Sequence, residues 1–89
     1  MRAVITVIGK DKVGVLAKIS TVCESYNVNV LEVSQSIMQE LFAMIMLVDI
    51  DKLNDNLQTF TKRLEEVSAQ IGMKIHVMHE DIFNAMHKI

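Results

Sequence analysis

The 89-residue sequence predicts an α+β fold of the ferredoxin-like type, β-α-β-β-α-β with a short helical tail. Two observations predict it. Two stretches carry apolar residues at helical spacing, and four shorter stretches are β-branched or alternate with a period of two. Their order then implies a four-stranded antiparallel sheet with both main helices on one face.

Residues 2–8 (Arg-Ala-Val-Ile-Thr-Val-Ile) form a β-branched run closed by Gly9, the first strand. A charged loop, Lys10-Asp11-Lys12-Val13, leads to Gly14. Val15, Leu16, Ile19, Val22, Cys23 and Tyr26 then recur on one face of a helix. Asn27 follows at once, and asparagine is second only to glycine as a left-handed helix terminator. A second strand runs from Val28 to Met38 and a third from Leu41 to about Ile50, joined by a hairpin at Gln39-Glu40 that lacks the usual glycine. Leu53, Leu57, Phe60, Leu64, Val67 and Ile71 mark a second helix stopped at Gly72. Met73 to Glu80 alternates cleanly as a fourth strand. Asp81 is a candidate N-cap for a tail that sets Ile82, Phe83, Met86 and Ile89 on one side of a short helix.

Strand three is apolar on both faces and strand one nearly so, whereas strand two is broken by Glu32, Ser34, Gln35 and Ser36. Right-handed crossovers place strands one and three in the middle of the sheet, where cover is needed on both sides. The helices supply cover on one side only. A second subunit and the apolar tail are the candidates for the other.

Composition narrows the function classes. A formal net charge of −2 with mixed signs gives no basic stripe for nucleic acid. The longest uncharged apolar run, Leu41 to Val48, is far short of the roughly 20 residues a membrane span needs. The sequence opens on Met1-Arg2-Ala3-Val4 with no targeting pattern, so a cytoplasmic location is expected. An apolar fraction of 51% is hard to hide in so small a domain, which points to a homodimer. Cys23 is the only cysteine, lies on the apolar stripe of the first helix and reads as an inert core thiol. Among the methionines, Met44, Met46, Met78 and Met86 are candidates for an adaptable interface.

Catalytic and metal signals are weak. No serine has a nucleophile-elbow context, and the carboxylates are dispersed. His76 and His79 fall on opposite faces of an extended strand, and Asp81 and His87 lack the spacing that puts ligands on one helix face. No enzyme activity, metal or cofactor is expected.

The loop from Gly9 to Gly14 is the most informative local feature. It joins a strand to a helix N-terminus, where free N–H groups and the positive dipole end favour a carboxylate or phosphate. Lys10 and Lys12 reinforce that preference. It is no nucleotide-binding P-loop, because Val15-Leu16 follows Gly14. Two readings of the loop alone stand: an anion site, or a solvated turn in which Asp11 caps the helix.

The stretch Asp11-Lys12-Val13-Gly14-Val15-Leu16-Ala17, followed by Tyr26-Asn27-Val28-Asn29-Val30, resembles the ACT-domain pattern. The opening strand, Val33-Ser34-Gln35 and Ile82-Phe83-Asn84-Ala85-Met86 extend the similarity, to the small stand-alone ACT proteins, over essentially all 89 residues. The resemblance implies one ACT domain over residues 1–89 that senses an amino acid or related carboxylate as a homodimer. It also implies a ligand site made of Gly9, Lys10, Asp11, Lys12, Val13 and Gly14 with Asn27 and Asn29 at the entry to strand two, often shared across a dimer. Asn27 stands where most ACT sequences have glycine, and Val13 replaces a common proline. The competing reading is a protein–protein interaction module that uses the sheet face or the tail to bind a protein partner, with no small ligand.

Overall fold

The computed structural model describes residues 1–10 and 13–86. The elements are β1 (Arg2–Gly9), α1 (Val15–Ser25), β2 (Asn29–Met38), β3 (Leu41–Asp49), α2 (Leu57–Gln70), β4 (Lys74–His79) and α3 (Glu80–Met86). The four strands make one antiparallel sheet in the order β2-β3-β1-β4, so the two most apolar strands are central, as their sequences require.

Pairing sets the faces. Ala3, Ile5 and Val7 of β1 stand beside Val48, Met46 and Met44 of β3, all of them fully buried. α1 and α2 lie together on this face, α1 toward β2 and α2 toward β4. Val15, Ile19, Val22 and Cys23 from α1, with Phe60, Leu64 and Val67 from α2, complete the core. Tyr26 and Phe60 meet with ring centroids 5.4 Å apart and planes tilted by 53°, a favourable aromatic geometry. Met44 and Met46 are thus core side chains, and the interface role expected for them is corrected: both face the helices. Leu16, expected on the buried stripe of α1, is 37% exposed at its edge.

Both main helices end in the same way. Asn27 (φ 59°) and Gly72 (φ 70°) take the left-handed conformation. The amide of the following residue then closes on a carbonyl five residues back: Val28 N–H on Cys23 O at 2.8 Å, and Met73 N–H on Ser68 O at 2.8 Å. The start of α2 differs from the apolar period. Leu53 lies in the preceding turn, half-buried against the core, and the helix begins after Asn56, whose Oδ1 accepts the Thr59 N–H at 2.7 Å.

Strand β2 carries an irregularity between Val30 and Glu32 that leaves Leu31 as an extra residue. The shift sends Glu32, Ser34 and Ser36 to the face away from the helices. α3 folds back onto that face. It packs on β1 and β4, Arg2 Nη2 ion-pairs with Glu80 Oε2 at 2.7 Å, and Val4, pointing away from the helices, is only 3% exposed. Asp81 is inside α3 rather than its cap. The chain turns immediately after β4, so His79 holds the capping place and its Nδ1 accepts the Asp81 N–H at 3.1 Å. Ile82 and Met86 are exposed, Phe83 is half-buried, and Ile89 and His87 lie outside the described residues.

The hairpin turn places Gln39 at φ 57°, a conformation that strains a side chain bearing a Cβ. Gln39→Gly is expected to raise unfolding stability by about 1 kcal/mol, read as a denaturant-midpoint shift at unchanged slope.

Candidate functional site

The expected site residues fall into two groups. Gly9 closes β1 opposite Phe42, with no room for a side chain: a Cβ there would land on Met73 Sδ and lie 3.2 Å from the Gly72 carbonyl. Lys10 is exposed, and Val13 is 77% exposed. Asp11 and Lys12 lie outside the described residues. Gly14, at φ 73°, is the N-cap of α1 and provides no side-chain cap. Its carbonyl accepts the Lys18 N–H at 3.0 Å, while the dipole end of the helix faces the loop.

Asn27 and Asn29 lie at the other end. α1 has 11 residues, so at about 1.5 Å per residue the two groups are roughly 16 Å apart. One chain does not bring them together. What surrounds the asparagines is a depression of about 510 Å³, lined by Ser20 and Glu24 of α1, residues 27–30, Asp49 at the end of β3, and Asp51 and Lys52 just after it. Asn27 Nδ2 donates to the Lys52 carbonyl at 2.9 Å. Asp49 Oδ1 accepts the Asp51 N–H at 2.9 Å, and the Met1 ammonium ion-pairs with Asp51.

The two ends therefore differ in charge: lysine at the loop, and Glu24, Asp49 and Asp51 against Lys52 and the Met1 ammonium around the asparagines. Sequence motifs gave no sign of this acidic end. Its members come from three segments, and only the pairing of Asn29 with Asp49 gathers them.

Cys23 and the two described histidines are set apart from one another. Burial pushes the Cys23 thiol up to about 11 from 9.0. His76 pairs with Thr6 and His79 with Ala3, placing them on opposite faces of β4. Among the described residues, no group of three or more histidine, cysteine, aspartate or glutamate side chains could hold a metal ion. No helix among them is long and apolar enough to cross a membrane.

A four-stranded antiparallel sheet in the order β2-β3-β1-β4, with two crossover helices on one face and a short third helix on the other, is the ferredoxin-like arrangement of a regulatory ligand-binding domain class. The chain belongs to the ACT-domain family, whose model matches residues 2–78. It is 47% identical over 88 residues to a UPF0237 protein of Methanosarcina acetivorans, covering 99% of this chain and 96% of that one. A UPF0237 protein of Clostridium perfringens is 46% identical over 89 residues, with both chains fully covered. Among solved structures, an ACT domain protein from Streptococcus pneumoniae superposes with a TM-score of 0.81 at 31% identity, covering 98% of each chain.

Two measurements check this account. Asn27→Gly keeps the left-handed turn at the cost of one exposed hydrogen bond, so its stability is expected within about 1 kcal/mol of the parent. Asn27→Ala loses both features and is expected to cost about 1–2 kcal/mol. Cys23 is expected to resist thiol reagents at pH 8 until the protein unfolds. Because its folded value is raised, the associated stability is complete below pH 9 and declines as pH rises toward 11; denaturant midpoints measured across that window check the sign.

Proposed function

We propose that the protein is a sensory module that binds an amino acid between two copies of itself and performs no catalysis. The observation that carries this reading is the separation of the two half-sites along α1. The basic loop end and the acidic asparagine end cannot serve one small ligand within one chain. Two copies in antiparallel register, paired along the open edge of β2 with their α1 helices side by side, set the loop of each against the asparagines of the other.

The surfaces this pairing needs are exposed. β2 is an edge strand of ten residues without proline, lysine or arginine, and beyond the irregularity at Leu31 its residues 33–38 run regularly and carry no charge, leaving an edge open to pairing. On its helix side Val33 and Ile37 are 38% and 56% exposed, beyond the reach of α1. The exposed side of α1 includes the short side chains of Ala17, Ser20 and Thr21, which permit close helix approach.

A composite pocket of this kind has cations and helix N–H groups on one side and carboxylates on the other. That suits a zwitterion better than a plain carboxylate, whose uncharged end would leave Glu24 and Asp49 without a partner. Ligand bound only by the pair favours the pair, and this linkage is the regulatory output.

Thermal-shift and calorimetric screening against the amino acids and their 2-oxo acid counterparts tests the reading. An amino acid at a hundred times its dissociation constant is expected to raise Tm by on the order of 10 °C. The matching 2-oxo acid should have far less effect, and Lys10→Glu with Lys12→Glu should weaken binding. Twenty amino acids at millimolar concentration with no shift in Tm would sink it.

A further inference from the structure

The sheet face opposite α1 and α2 is untouched by pairing along β2. Register assigns its rows. Ser34, Ile45, Thr6 and His76 cross the middle, with Glu32, Leu47, Val4 and Met78 on one side and Ser36, Ala43, Ile8 and Lys74 on the other. α3 covers the Val4–Met78 end and leaves the other bare. From the middle row outward, Ile45, Ile8 and Leu41 are 40%, 39% and 43% exposed. α3 itself shows Ile82 at 55% and Met86 at 66%, so it is apolar on the side it does not use.

We propose that this face is closed by a second copy of the chain, each α3 lying on the bare half of the other's sheet. The arrangement follows from where α3 sits. A two-fold axis between the sheets, crossing the strands along the Thr6–Ile45 row, carries the covered end of one copy onto the bare end of the other. Two helices then fill the space between the sheets at a uniform depth. An axis along the strands instead stacks both α3 helices at one end, holding the sheets apart there and leaving both bare halves open.

Charge agrees with the first arrangement. The first turn of α3 carries Glu80 and Asp81, and the Asp81 side chain is 86% exposed. The bare end carries Lys74, with His76 beside it, on the strand that α3 packs against. The crossing axis brings Asp81 of each copy toward Lys74 of the other.

Sedimentation equilibrium on the full chain tests the contact, with circular dichroism to establish that each variant folds. Ile45→Lys is expected to weaken association through this face by about 100-fold or more. Lys74→Glu should weaken it about tenfold, and adding Asp81→Lys to Lys74→Glu should recover most of the loss. Ile37→Lys, on the helix side of β2, separates this contact from the edge pairing. Loss of association in Ile45→Lys but not in Ile37→Lys supports the α3 contact and counts against edge pairing. Association unchanged by Ile45→Lys, or no recovery in the charge-swapped pair, overturns the proposal.

Discussion

The burial of one sheet face beneath two helices is the constraint on which everything else rests. Ala3, Ile5 and Val7 of β1 and Phe42, Met44, Met46 and Val48 of β3 form a continuous apolar surface. Each of these side chains larger than alanine contributes on the order of 1.5–3 kcal/mol when fully buried, set against a backbone ordering cost of about 1–2 kcal/mol per residue. A domain of this size closes that balance only if its central strands are used fully. The order β2-β3-β1-β4 does so, and it fixes where α1 begins and ends. The loop at Gly9–Gly14 and the entry at Asn29 are at opposite ends of α1 because β1 and β2 run parallel on either side of β3, and the crossover between them needs a helix that returns the chain along the length of the strands.

Much of this was legible in residue order because it depends on local chemistry. Strand three is apolar throughout, which marks a strand covered on both sides, and it is central. Asn27 and Gly72 announce helix ends because few residues tolerate the left-handed region, and both occupy it. The illegible parts depend on competition between signals of similar strength. Leu53 continues the apolar period of α2, yet the capping oxygen of Asn56 starts the helix later. Asp81 is a good capping residue by type, but the preceding β4 delivers His79 to that place instead. Met44 and Met46 could not be distinguished from interface residues by type, since only the pairing with Val7 and Ile5 decides which face they take.

The site divides along the same line. The glycines and lysines of the loop are contiguous, so a motif reveals them. Glu24, Asp49, Asp51 and Lys52 become neighbours of Asn29 only through sheet register and the return of α1. The difference in charge between the two ends of α1 is therefore a property of the fold, invisible to any window of sequence.

That difference bears on how the proposed sensor transmits a signal. Within one chain each half-site is open to water, and an exposed charge contact contributes under about 1 kcal/mol. A ligand held between two chains draws on both half-sites and on the solvent that their approach removes. Its affinity then depends on association, and by reciprocity association depends on it. The contact made by α3 lies on the opposite side of the sheet and shares no residue with that pocket. A ligand that strengthens the β2 edge thereby raises the local concentration of sheet faces without altering them. In that scheme the assembly beyond the pair responds to ligand through geometry alone, and no change of shape within the protomer is required.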